Sequence, residues 1–427
     1  MALGRDNKEK TTGTKVLDFV TDFYLGSRDF NGVPVGTIEK EMRMSRESIL
    51  RALRELLGQN HISIVSSKQD VNPYIKRFAE ESRENQIIRF DSEDGLICVY
   101  PSPTHLHKVV DRHSFEGKPF TLKIALGAPQ LDFESFDLRV LLNYRDDPRY
   151  DYYNNDIHGS IDIKDDETIK ELDQSDRVFL KSFGYSYDSE HYRAVAVFLI
   201  YLRRLNAAHQ QIWNAKLLRG EYKLHPDYYR SMILGEWPEG CSVVDALSLD
   251  IIAINQVCKL MKRPPLFNDE LRVTRATELS FLIMPTRKEF CKFALELNKA
   301  IGDNINIKFF RDDVEKIKII KTRSGPKEQN KGSVELLAEW LEKCFHIDDR
   351  TQINEMIKCF KNIAKLRGRA AHTRDENKYN RRYFKEQRDL FIEAYTGINL
   401  LRIIFASYPR AKKKKIPPSL NGKVYAE

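Results

Sequence analysis

The chain has 427 residues, 41% hydrophobic and 31% charged, enough for several domains with sizeable cores. No apolar run reaches the roughly 18 residues of a membrane-spanning helix, and the N-terminus "MALGRDNKEKTTGTK" lacks the apolar stretch of a secretory signal. The net charge of +8 permits a nucleic-acid or phosphate partner without requiring one.

Six cysteines, at 98, 241, 258, 291, 344 and 359, are scattered with no CxxC pair. They read as reduced core thiols of a cytoplasmic protein, not as a disulfide framework or zinc site. The fold class expected is mainly α (α+β), with a disordered stretch over 1–14 and domains at 15–100, 101–284 and 285–410, then a basic tail at 411–427.

From Lys15 a helical period runs through Val16, Leu17, Phe19, Val20 and Phe23 to a stop at Gly26. A second short helix fits Thr37 to Met42. Ser45 caps a third, "SRESILRALRELLG", whose apolar face is Ile49, Leu50, Leu53, Leu56 and Leu57. "HISIVSS" follows as a strand. "IIRFDSEDGLICVYPS" places an Asp94–Gly95 turn between two β-rich runs and predicts a hairpin. Three short helices and then a strand resemble a winged helix-turn-helix over about residues 15–100. The resemblance implies that the third helix reads DNA through Arg46, Arg51 and Arg54, or that the module docks a protein.

"FTLKIALG" and "FDLRVLLNY" read as strands, with the loop "RDDPRYDYYNND" after them. A helix of roughly 30 residues is drawn from Asp188 to Arg219, its first half apolar all round and so buried on several sides. "SVVDALSLDIIAINQVCKLM" is a further helix of the middle region. His105, His107 and His113, in "HLHKVVDRH", lack the cysteine or carboxylate spacing of a metal site. No Gly-rich phosphate loop, HExxH or GxSxG occurs, and no bound cofactor is expected.

Near Pro285, "TRKEF" supplies a capping box, Thr286 with Glu289. The helix it opens, at 287–300, joins three later amphipathic helices, "VELLAEWLEKCF", "INEMIKCFKNIAKLRGRAA" and "YFKEQRDLFIEAYTGINLLRIIFASYP", in a four-helix bundle. Between the first two lies a basic insertion, with a strand at "KIKII" and a turn at "RSGPKEQNKGS".

Arg367 and His372 fall where the third bundle helix ends. Spacing alone means little, since Arg54 with His61, Arg203 or Arg204 with His209, and Arg219 with His225 are similar pairs. Placement separates Arg367. On a helix from Ile353 it falls within about 40° of the centre of the apolar face, where an arginine needs an anionic or polar partner. Arg369 points away from that face and, with Arg374, is accounted for by solvent. His372 lies about 140° around and about 7.5 Å along from Arg367, so on a straight helix the two cannot converge on one ligand. A helix end between them, or a second copy across an interface, would bring them together.

"LRGRAAH" between the last two long helices of such a bundle resembles the HEPN superfamily, whose signature is Arg, four to six residues, then His. The resemblance covers about residues 285–410. It implies a homodimeric ribonuclease that cuts RNA without a metal ion, with Arg367 holding the scissile phosphate and His372 as the acid–base group. The family often has a polar residue after the arginine where this chain has Gly368, and non-catalytic members also exist.

Two functions follow as expectations. The first is a toxin-like or anti-phage effector ribonuclease with a winged-helix sensing or docking module for a regulatory protein partner. The second is a non-catalytic DNA-binding regulator or replication-type protein whose bundle only dimerises. Arg369, Arg374 and the tail residues Lys412, Lys413, Lys414 and Lys415 then add phosphate contacts, or are simply solvated. No membrane partner is expected.

Overall fold

The computed structural model describes residues 11–77, 81–92, 95–155, 157–190, 192–236, 241–271, 279–322, 325–345, 349–372, 376–411 and 424–425. About 51% is helical and 17% strand, a mixed α and β protein. No helix among the described residues is long and apolar enough to cross a membrane. The chain divides into two compact units. One holds residues 1–140, 147–151 and 160–224; the other holds 141–146, 152–159 and 225–427.

The first unit opens with α1 (Thr12–Gly26). Residues 12–14, expected to be disordered, already belong to this helix because the Thr11 hydroxyl accepts from the Thr14 N–H at 3.2 Å. Next come β1 (Val33–Pro34), α2 (Val35–Met42), α3 (Arg46–Gly58), β2 (Ile62–Ser66), α4 (Arg83–Ser92) and β3 (Ile97–Pro101). Ser45 caps α3 as expected, accepting from the Ser48 N–H at 3.3 Å. The strands form an antiparallel sheet in the order β1-β3-β2, with Val99 facing Val33 on one side and Ile64 on the other. Val16, Val20, Ile38, Ile49, Leu53 and Leu57 bury against this sheet.

The expected hairpin at 87–102 is not there. Its first half is α4, and only its second half is a strand. Ile87 and Phe90, three residues apart, meet the core from one helix face, and buried Gln86 accepts from the Ile64 N–H at 3.0 Å. Glu93 and Asp94 lie outside the described residues.

The remainder of this region corrects three more readings. "FTLKIALG" forms α6 (Pro119–Ala125), after α5 (Pro103–Val109). Pro119 starts α6, and Phe120 and Ile124, four apart, are both fully buried. The N–H groups of Phe120 and Thr121 at the start of α6, which have no partner within the helix, donate to the side-chain oxygen of buried Gln210, at 3.2 and 3.3 Å. In "FDLRVLLNY", Phe136 ends β4 (Phe133–Phe136) and the chain then turns through Leu138–Leu141 into a short helix at Leu142–Arg145. The acid- and tyrosine-rich segment, read as a loop, contains β5 (Tyr150–Asn154), followed by β6 (His158–Ile163).

The 30-residue helix is also replaced. Its apolar run is β8 (Arg193–Phe198), preceded by β7 (Leu180–Tyr187); a helical turn at Leu199–Leu202 and α7 (Ala207–Asn214) follow. β8 lies between β4 and β7, antiparallel to both, in a sheet of order β4-β8-β7-β6-β5, with β9 (Lys223–Leu224) also paired to β7. A central strand covered on both faces is apolar at every position, as a buried helix is, and β-branched Val195 and Val197 suit the strand.

The second unit is built on five long helices: α8 (Val243–Leu260), α9 (Arg287–Ala300), α10 (Ser333–Cys344), α11 (Thr351–His372) and α12 (Arg382–Ala406). α8, read from sequence as part of the middle region, packs along α12 and shares the core of the other four. Asp250 on α8 is fully buried. It meets Arg402 Nε of α12 at 2.6 Å and accepts from the Asn399 side-chain amide at 2.9 Å. α9, α10 and α12 all pack on α11, and Trp340 of α10 also meets Phe405 of α12, with ring centroids 5.7 Å apart. Thr286 caps α9, accepting from the Glu289 N–H at 3.3 Å, while the Glu289 carboxylate binds Arg145 at 2.8 and 2.9 Å. The insertion is a two-stranded hairpin, Ile317–Thr322 with Gly325–Asn330, so "GPKEQN", read as turn, is strand.

At buried Gly397, side chains of α11 lie against α12. A Cβ there would stand 3.0 Å from Met356 Cγ and 3.0 Å from Phe360 Cε1. Gly397→Leu should therefore destabilise the protein by about 1–3 kcal/mol through overpacking, read as a lower midpoint in urea with an unchanged m-value.

Candidate active site on the C-terminal helices

α11 buries Ile353, Met356, Ile357, Cys359, Phe360 and Ile363. Among the described side chains beyond Ile363, Ala364, Lys365 and Arg367 are exposed, and Leu366 packs against the core. The expectation that Arg367 sits on a packing face is corrected accordingly. It shares the angular position of the buried face but is exposed, one turn beyond Ile363, the last buried residue among the described ones. Its guanidinium donates from Nη1 to Asp303 Oδ1 at 3.1 Å, with side chains 48% and 43% exposed.

α11 is unbroken from Thr351 to His372, so no helix end separates Arg367 from His372. Their backbone positions therefore remain about 140° apart around one axis. The side chains of residues 368–372, which include Gly368, Arg369 and His372, lie outside the described residues, as do Arg374, Lys412, Lys413, Lys414 and Lys415. The chain that leads on to α12 is fixed to the start of α9. The Arg287 N–H donates to the Lys378 carbonyl at 2.8 Å, the Asn380 N–H to the Pro285 carbonyl at 2.9 Å, and the Lys288 N–H to the Asn377 side chain at 3.0 Å.

A feature missed from the sequence lies along the same helix. Lys358, Lys361 and Lys365 are exposed and have no carboxylate partner among the described residues. Their azimuths fall within about 40° of that of His372, on the side away from the core. Glu355 is the one acidic residue in α11, and it lies about 100° from that line. Where α10 meets α11 the line opens into a cleft of about 560 Å³. Ala338, Ile353 and Ile357 supply its apolar wall; Lys358, Lys361 and Arg350 supply its cations. Glu342, 3.6 Å from Arg350, is the acid in its lining. The spacing of lysines at 358, 361 and 365 was the available signal.

The three arginines of α3 are exposed but already engaged. Arg46 binds Glu39 at 3.0 Å, Arg51 binds Glu47 at 3.1 Å, and Arg54 grips Asp91 of α4 with contacts down to 2.6 Å. Hydrogen bonding to Arg54 holds the Asp91 carboxyl below its usual range.

The remaining candidates have local roles. Arg203 and Arg204 clasp Asp29 at 2.8 and 2.9 Å, and His209 is buried on α7, so "RRLNAAH" ties elements of the first unit together. His105 Nε2 lies 3.1 Å from the Thr21 hydroxyl, and burial and neighbouring His61 push its pKa down. His107 Nδ1 lies 3.3 Å from Arg112. Among the described residues no group of three or more metal-ligating side chains gathers.

No family model, curated protein or solved structure matches the chain.

Because Arg367 is exposed and held by one exposed carboxylate, Arg367→Ala should change the unfolding free energy by less than about 1 kcal/mol in chemical denaturation. A loss several times larger would make it a structural residue.

Proposed function

We propose that this chain is a metal-independent RNA endonuclease of the HEPN type, a toxin-like or anti-phage effector that acts as a homodimer. The observation that carries the reading is the exposed guanidinium of Arg367, anchored by Asp303 through one nitrogen, on the helix that also bears His372. An arginine so placed keeps free donors for a phosphate, which it grips in a planar, bidentate geometry. A histidine can take the 2′-hydroxyl proton near neutral pH. The 2′-oxygen then attacks phosphorus, the bond to the 5′-oxygen breaks, and the leaving oxygen receives a proton. The products are a 2′,3′-cyclic phosphate and a 5′-hydroxyl. Since α11 is continuous through both residues, a composite site needs two copies, with α11 facing α11 across a two-fold axis.

The test is cleavage of total RNA and purified tRNA in excess EDTA by wild type, Arg367→Ala and His372→Ala. Cleavage that survives chelation and falls at least about 100-fold in each variant is expected. Cleavage that EDTA abolishes, or that either variant retains, overturns the reading, as does a dimeric wild type that leaves both RNAs whole.

A second reading, a DNA-binding regulator whose bundle only dimerises, draws on the first unit. Its helix and strand order, with the sheet order β1-β3-β2, supports the winged-helix interpretation of residues 15–100. DNA would have to displace Glu39 and Glu47 from Arg46 and Arg51. On this reading Arg46→Ala with Arg51→Ala lowers the slope of log K against log salt for duplex DNA by about 2. An unchanged slope removes α3 as the DNA contact.

A further inference from the structure

The solvent-facing line of α11 carries Lys358, Lys361 and Lys365, all exposed, and none of them has a carboxylate partner among the described residues. A merely solvated helix face usually mixes charges of both signs and pairs them three or four residues apart. From Thr351 to His372, positions within about 60° of this line hold Thr351, Asn354, Ile357, Lys358, Lys361, Lys365, Gly368, Arg369 and His372, without a carboxylate. Among the described residues the three lysines have no carboxylate partner, which leaves their charge for something outside the fold. The cleft at the start of the line adds an apolar wall and Arg350, already 3.6 Å from Glu342, so an anion bearing an apolar group fits it better than a bare ion does.

We propose that Lys358, Lys361 and Lys365, with the cleft beneath Arg350, form a track for the phosphodiester backbone of single-stranded RNA that leads to His372. The cleft seats one base. The inference rests on RNA being the substrate, and adds where the strand lies and which residues carry its affinity. The dimensions agree. Along the helix, the lysines stand about 4.5 and 6 Å apart and His372 about 10.5 Å beyond Lys365. That spans roughly the phosphates of three or four nucleotides. The proposal also gives the two parts of the site separate tasks: lysines position the strand, and Arg367 and His372 act on one bond.

The experiment measures binding apart from cutting. A labelled single-stranded RNA of twelve uridines is titrated by fluorescence anisotropy with full-length His372→Ala protein in EDTA, over a series of KCl concentrations. The same protein carrying Lys358→Gln, Lys361→Gln and Lys365→Gln is compared with a charge-matched control. The control replaces Lys164, Lys170 and Lys181, exposed residues of the first unit, with glutamine. The track predicts at least a tenfold loss of affinity at low salt and a salt slope lower by about 2, since each single-strand phosphate contact contributes about 0.7. The control should match the parent, and all proteins should melt at the same temperature.

Uridine monophosphate serves as competitor. Weak competition is expected of a track; competition equal to the oligonucleotide per molecule makes the cleft a free-nucleotide site and overturns it. An unchanged affinity and slope in the triple variant, or an equal loss in the control, also overturns it. RNA that binds through the lysines but is never cut by wild type defeats the nuclease reading and leaves the track. RNA that is cut while binding ignores the lysines does the reverse.

Discussion

The close approach of α11 to α12 at Gly397 is the constraint on which the second unit depends. With no side chain at that position, Met356 and Phe360 lie directly on the α12 backbone. The two axes come together, and the azimuth of α11 is set. Its apolar stripe is buried up to Ile363, and its opposite side faces solvent. Arg367 shares the angular position of that stripe, and the lysines lie on the opposite side. A larger residue would push the helices apart and turn the line relative to α10, changing the cleft. The buried pair of Asp250 with Arg402 acts similarly between α8 and α12. Two desolvated charges tolerate little displacement, so they fix register more than they add stability.

Charge distribution, more than net charge, separates the surfaces. α3 carries three exposed arginines, yet each is held by a carboxylate, and one of those lies on α4. α11 carries three exposed lysines and no such partner among the described residues. A polyanion meeting α3 must break existing ion pairs, while one meeting α11 replaces only water and counterions. Surface pairs are individually weak, so the difference is one of degree at α3, but it is systematic. The proposal of an RNA track on α11 rests on this asymmetry.

The continuity of α11 bears on chemistry as well. Had the helix ended between Arg367 and His372, the chain could have folded back and brought both to one phosphate. Because it runs through both, a single copy presents them on different sides of one cylinder. The bonds from residues 377–380 to the start of α9 hold the chain beyond that helix end close to the bundle.

The sequence by itself determined the elements whose signals are local. α1, α3 and α9 announce themselves through their caps and apolar spacing, and Ser45 and Thr286 do cap as their neighbours suggest. The amphipathic helices of the bundle were legible for the same reason, and so was the position of Arg367 on the helix. Only tertiary structure decided the rest. "AVAVFLIYL" reads alike as a buried helix and a central strand, and it is the flanking β4 and β7 that make it a strand. "IIRF" has strand composition, but packing on α3 makes it helix. Whether Arg367 is buried could not be read from its angle, because periodicity gives a direction around a helix and not where the core ends along it. The cleft under Arg350 needs two helices in contact, and whether the lysines find partners among the described residues depends on which carboxylates the fold brings near. Those are distances between residues remote in the chain, which composition and spacing do not encode.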